Sequence, residues 1–113
     1  MHADLRRALL ARDFEKTGDL AEASALAMHA SAIAAGVVYW NPATLAAIHA
    51  VTALRAGGTA AYFTIDAGPH VKVLCAPDDA AAVAAALAAA PGVLRTITAS
   101  PGPGARVVEE TEA

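Results

Sequence analysis

The residues best suited to chemistry lie mid-chain, in Asp66-Ala67-Gly68-Pro69-His70, directly after the alternating run Thr59 to Asp66. A carboxylate at a strand end can accept a hydrogen bond or a proton. Read alone, Asp-x-Gly-Pro is the start of an ordinary turn, a place where Asp is common. Gly68 allows a tight bend or the close approach of a ligand, and Pro69 fixes one torsion. His70 donates and accepts when neutral and can also become a cation. Lys72 falls on the same strand face as His70, where it can meet substrate charge or simply be solvated. The four histidines show no metal-ligand spacing, so no metal site is expected. His29 lies one helical turn from both Leu26 and Ile33, as a core or interface histidine would. His49 shares a helical face with Leu45 and Ile48. Cys75 alternates with Val71 and Val73, which makes it a core residue rather than a nucleophile. Ser100-Pro-Gly-Pro-Gly104 is glycine-rich but lacks the Gly-Lys-Ser/Thr ending and following helix of a phosphate loop.

These residues must be positioned by a small number of elements. Helical spacing runs from Ala3 to about Arg12, with Leu5, Leu9 and Leu10 on one side. Thr17-Gly18-Asp19 reads as a break and a new helix start, with Thr17 or Asp19 as the cap. That second helix should run to about Ala35 on the spacing of Leu26, Ala30, Ile33 and Val37, with Gly36 as its stop. Asn41-Pro42 opens a third helix, because Asn caps and Pro fits the first turn. Leu45, Ile48, Thr52 and Arg55 mark one side of it, and Gly57-Gly58 ends it. The period then becomes two. Ala61, Phe63 and Ile65 alternate with Tyr62, Thr64 and Asp66, and after the Gly-Pro turn Val71, Val73 and Cys75 alternate with His70, Lys72 and Leu74, a β-hairpin signature. Asp78-Asp79 suits the first turn of an Ala-rich helix ending at Pro91-Gly92. Val93 to Ser100 and Ala105 to Glu110 read as third and fourth strands around Pro101-Gly-Pro-Gly104. The expected fold is α+β, one domain over 1–113, with helices packed on one face of a four-stranded antiparallel sheet.

Composition excludes several classes. The 113 residues carry a formal net charge of −3, and Arg6-Arg7 is the only adjacent basic pair. A nucleic-acid binder would need a basic patch. The single cysteine permits no intramolecular disulfide, and the first residues lack the apolar core of a signal peptide. Ala23 to Leu54 contains no Asp, Glu, Lys or Arg, long enough for a membrane span. Gly36, Asn41-Pro42, His29, His49 and the abundance of Ala divide it into two shorter helices buried in a soluble fold, or covered by a partner domain.

Ala61 to Cys75, AYFTIDAGPHVKVLC, resembles the third motif of the galactokinase, homoserine kinase, mevalonate kinase and phosphomevalonate kinase (GHMP) superfamily, in the form found in diphosphomevalonate decarboxylases. Arg12 to Ala30, Tyr39 to Gly58 and Ser100 to Val108 resemble the neighbouring segments of that family in the same order. The resemblance covers nearly the whole chain but only the family's C-terminal part, with a GHMP kinase C-terminal fold. It implies an ATP- and Mg-dependent reaction in the complete enzyme. There the tertiary hydroxyl of mevalonate 5-diphosphate is phosphorylated, and phosphate and carbon dioxide leave to give isopentenyl diphosphate for isoprenoid biosynthesis.

The family's catalytic aspartate matches Asp66. A tertiary alcohol is too weak an acid to ionise beforehand, so a carboxylate must orient it and take its proton as the phosphoryl group transfers. Gly68, His70 and His29 are the candidate substrate-binding residues beside Asp66. His70 departs from the family's usual Asn, as a tolerated replacement or a mark of relaxed function. His29 stands where the family's corresponding helix has a histidine, lining the active-site side or filling the core.

The ATP-binding half is not matched in this chain, nor are the basic residues that clamp a diphosphate. The expectation is therefore a chain inactive alone and without a cofactor of its own, whether a separate domain, a truncated gene or one part of a split enzyme. Its partner would be an N-terminal half or a second copy, and its location the cytoplasm, without nucleic acid or membrane. Two alternatives remain: a non-catalytic remnant acting as a dimerisation or binding module, and part of a related mevalonate kinase.

Overall fold

The computed structural model describes residues 2–109. Its elements are α1 (His2–Leu10), α2 (Phe14–Ala34), α3 (Pro42–Ala56), β1 (Tyr62–Thr64), β2 (Lys72–Leu74), a short 3-10 turn (Pro77–Asp79) and α4 (Ala80–Ala88). The strands pair antiparallel, with Tyr62 opposite Leu74, Phe63 opposite Val73 and Thr64 opposite Lys72. The hairpin expected around Gly68-Pro69 is therefore present. The uncharged stretch is divided between α2 and α3, and among the described residues no helix is long and apolar enough to cross a membrane.

Local signals account for most helix ends. Asn41 caps α3 by accepting from the Thr44 N–H at 2.9 Å, while the Asn41 N–H donates to Thr44 Oγ1 at 3.2 Å. This reciprocal box satisfies two otherwise orphan donors. Gly36 follows α2 at φ +88°, a conformation that favours glycine.

The expected break at Thr17-Gly18-Asp19 is absent. Helix α2 starts earlier, with the Asp13 side chain accepting from the Lys16 N–H at 3.0 Å, and continues through Gly18. Glycine is present there for a tertiary reason. A Cβ on Gly18 would lie 2.3 Å from Cγ and Cδ2 of Tyr62. The buried face of α2 is Gly18, Glu22, Ala25 and His29, whereas Leu26 and Ile33 are largely exposed. Small residues, not the largest apolar ones, bring this helix close to β1. On α3 the buried residues are Thr44, Ala47, Ile48 and Val51, so Leu45 and Thr52 lie off the packed side.

The core comprises Ile48, Val51, Ala61, Phe63, Ile65 and Val83, with Trp40, Leu54, Val71, Val73, Cys75 and Leu87 packed around it. Phe63 thus faces α3 and α4. Tyr62 points the opposite way, as strand alternation requires, towards Gly18 and an edge-on contact with Phe14 at 5.8 Å between ring centroids. Helices meet β1 from both sides rather than from one face.

The four-stranded sheet is also corrected: among the described residues it has two strands. Residues 93–109 form neither helix nor strand, and Leu94, Ile97 and Val107 are exposed. Glu110, the last residue of the expected fourth strand, lies outside the described residues. Alternation specifies which side a residue takes once a strand is paired; it supplies no partner. The carbonyls flanking β1 are instead taken by side chains, Ala61 by Arg55 and both Ile65 and Asp66 by His29.

Candidate active site around Asp66

Asp66 directly follows the buried Ile65 at the end of the first strand segment, and its side chain is 80% exposed. Lys72 at the start of β2 reaches back across the hairpin, its Nζ donating to Asp66 Oδ2 at 2.8 Å. The hydrogen bond and the charge of Lys72, in that order, hold the Asp66 carboxyl below its ordinary value of 3.8. Lys72 is therefore part of this cluster rather than only a solvated strand lysine.

Two buried side chains grip the backbone of the same turn from behind. His29 is 2% exposed, and its Nε2 lies 2.7 Å from the Asp66 carbonyl oxygen and 3.3 Å from that of Ile65. Both partners are acceptors, so Nε2 carries the proton. The His29 ring is flanked by Trp40 and Tyr39, at centroid distances of 5.3 and 6.2 Å. Thr44, also 2% exposed, donates from Oγ1 to the Pro69 carbonyl at 2.8 Å. Its position in the capping box fixes it at the start of α3.

The sequence-derived site residues are thus brought together unequally. Asp66 and His70 are exposed on the turn. His29 lies beneath it, with Nε2 engaged on backbone carbonyls. Gly68 has no positive φ, and an added Cβ would meet nothing within 4 Å. The bend itself does not demand glycine there, and the space beside it is open. Thr44 was missed as a site residue, although the Asn41-Pro-Ala-Thr44 spacing signals a cap and so fixes where its hydroxyl sits. Among the described residues no group of three or more His, Cys, Asp or Glu could hold a metal ion. A shallow depression of about 420 Å³ between α3 and α4 is lined by none of these site residues.

The profile of the family described as mevalonate 5-diphosphate decarboxylase C-terminal domain matches residues 1–102. The chain belongs to this family. Phosphomevalonate decarboxylase of Haloferax volcanii is 35% identical to it, over 97% of this chain and 34% of that protein. The solved mevalonate pyrophosphate decarboxylase of Streptococcus pyogenes is 44% identical, with a TM-score of 0.70, over 77% of this chain and 28% of that one. A structure described as MDDEF in complex with MVAPP, AMPPCP and magnesium is 33% identical, with a TM-score of 0.72, over 80% of this chain and 28% of that one. The chain therefore spans about a third or less of the length of these relatives.

Proposed function

We propose that the chain is the C-terminal part of an enzyme that decarboxylates mevalonate 5-diphosphate to isopentenyl diphosphate, with Asp66 facing the tertiary hydroxyl. The observation that carries this reading is the placement of Asp66: an exposed carboxylate on a turn tethered to two helices, with an ammonium at 2.8 Å. The Asp66 carboxylate orients the hydroxyl and accepts its proton, while the Lys72 ammonium keeps that carboxylate ionised and directed. The substrate hydroxyl must share or displace the Lys72 bond. The open space beside Gly68 and the exposed His70 line the substrate's approach.

ATP with magnesium supplies the phosphoryl group. The MDDEF complex with AMPPCP and magnesium supports this choice. Among the described residues no group of three or more His, Cys, Asp or Glu could hold a metal ion, so on this reading nucleotide and metal are held by the N-terminal half. On this reading the chain is inactive alone, is completed by an N-terminal half, and works in cytoplasmic isoprenoid synthesis.

A second reading, with phosphomevalonate as substrate, is favoured by the name of the Haloferax relative, which covers 97% of the chain. Nothing among the described residues reads a second phosphate, so both substrates belong in the test.

The test mixes the chain with the N-terminal part of the Streptococcus pyogenes enzyme, MgATP and either substrate, and follows ADP and carbon dioxide. Turnover only in the mixture, abolished in Asp66→Asn, is the expected result. Turnover confined to phosphomevalonate selects the second reading. Absence of turnover from a folded chain in every mixture overturns both and points to a non-catalytic module that pairs with another protein or a second copy.

A further inference from the structure

We infer that His29 and Thr44 are positioning residues that together clamp the Asp66–Pro69 turn and so aim the Asp66 carboxylate. The inference rests on the decarboxylase reading for its catalytic consequence, but its structural core stands apart from it. No residue between Asp66 and Val71 is buried, so apolar packing does not hold this turn. Its long-range side-chain anchors are polar. His29 of α2 reaches 37 residues along the chain to the Asp66 carbonyl, and Thr44 of α3 reaches 25 residues to the Pro69 carbonyl.

The two bonds act at opposite ends of the turn and come from different helices. The peptide after Asp66 cannot rotate without breaking the 2.7 Å bond to His29. The direction in which the Asp66 side chain leaves the backbone is fixed with it. Thr44 stops the far end from swinging outward. Both donors are themselves held, His29 by ring contacts with Trp40 and Tyr39 and Thr44 by the Asn41 box. A shift of about 1 Å in a reacting group can cost on the order of 100-fold in rate, so a clamp of this kind shows itself in turnover before it shows itself in binding.

The experiment uses His29→Phe, Thr44→Val and Thr44→Ser. Phe keeps an aromatic ring without the donor, Val keeps the Thr shape without the donor, and Ser restores a hydroxyl. Thr44→Val also loosens the cap of α3, whereas His29 has no capping role, so the two are read together. Backbone 15N relaxation is measured on the folded chain, and kcat and KM on the chain mixed with the N-terminal part.

We expect lower backbone order parameters confined to residues 66–71 in His29→Phe and Thr44→Val, with Phe63 and Val51 unchanged. We expect a fall in kcat of roughly 10- to 100-fold with KM preserved, and recovery in Thr44→Ser. Unchanged order parameters at 66–71 in both variants overturn the clamp. So does uniform loosening of the whole chain, which is the signature of plain structural loss. If Asp66-dependent turnover is absent in the unsubstituted mixture, the decarboxylase reading fails while the relaxation data still decide the clamp.

Discussion

Replacing Gly18 with Ala tests the packing that brings α2 onto β1. In a solvated helix interior this change stabilises by about 1 kcal/mol, because Ala has the higher helix propensity. Here the new Cβ would lie 2.3 Å from Cγ and Cδ2 of Tyr62 and 2.8 Å from Cδ1. Carbon atoms rest about 3.5–4.0 Å apart, so a gap of more than an ångström must open. The contacted atoms belong to the near end of the ring, which side-chain rotation displaces least. The ring is also held: Tyr62 is 5% exposed, Phe14 meets it edge-on at 5.8 Å, and the Arg55 guanidinium sits 4.9 Å from its centroid. Overpacking of this kind costs roughly 1–3 kcal/mol, and the rigid surroundings point to the upper end. The net effect is a loss of about 2 kcal/mol, or a melting temperature lower by roughly 8 °C for a chain of this size. Urea and thermal unfolding followed by circular dichroism measure it. In a Tyr62→Leu background the penalty should shrink or change sign, since the planar obstacle is gone. A higher melting temperature for Gly18→Ala in the unsubstituted chain would refute the close approach and restore the view of Gly18 as a mere helix defect.

Three further outcomes follow from the electrostatics and burial. Lys72→Met should raise the Asp66 titration midpoint towards its ordinary 3.8, read from the carboxyl carbon resonance; an unmoved midpoint would show that the pair is not formed in solution. Because the folded value is lowered, the pair's contribution to stability is present above 3.8 and fades as pH falls through the lower folded value. Strong salt should weaken it, because both partners are exposed. Arg55→Met should cost about 2–3 kcal/mol and Glu22→Gln only about 1, by urea unfolding. Losing Arg55 strands a Glu22 side chain that is 10% exposed and removes the donor to the Ala61 carbonyl, whereas Gln can keep a hydrogen bond to Arg55; equal costs would contradict this asymmetry. Burial first, and then the charge of Asp79, push the Cys75 thiol up. Iodoacetamide at mildly alkaline pH should therefore label the folded chain much more slowly than the urea-unfolded one, as followed by mass spectrometry.

The elements with local causes were legible. Asn41-Pro42 begins α3 because the capping atoms lie within four residues, and Gly36 ends α2 because its own φ is positive. The change of period at Ala61 and the Gly68-Pro69 turn specify a hairpin without reference to the rest of the chain. Gly18 was misread because its role depends on Tyr62, which only the fold brings near. The packed side of α2 was misread for a related reason. Apolar spacing selects Leu26 and Ile33, whereas close approach to a strand selects Gly18 and Ala25. Residues 93–109 carry strand-like alternation, but pairing is a property of two segments and one pattern cannot reveal it. At the site, the strand-end position of Asp66 was readable and its three tethers were not. Lys72 closes across a hairpin whose register no alternation supplies, and the two buried tethers reach 37 and 25 residues to backbone carbonyls, whose availability no side-chain pattern records.

The same tethers bear on what Asp66 can do in the isolated chain. A general base is most effective when its pKa lies near the working pH. Lys72 moves Asp66 the other way, and with the Asp66 side chain 80% exposed, desolvation raises the carboxyl less than Lys72 lowers it. The chain by itself thus holds an ionised, well-aimed but weakly basic group. Two changes raise its basicity: displacement of Lys72 towards another anion, or exclusion of water by a covering surface. On the function proposed above, a substrate carrying phosphates would supply the first, and a covering N-terminal half the second. If Asp66 is the base, the acid limb of kcat/KM in the mixed enzyme must lie above the Asp66 midpoint of the isolated chain. That limb reports the assembled enzyme before substrate binds, so its displacement measures the covering surface alone. The limb of kcat, which reports the substrate complex, should lie higher again if substrate phosphates draw Lys72 away. A kcat/KM limb that coincides with the isolated midpoint would mean that assembly leaves the carboxylate as wet and as tightly paired as before. The role of Asp66 would then be confined to orienting the hydroxyl, with its proton leaving by another route.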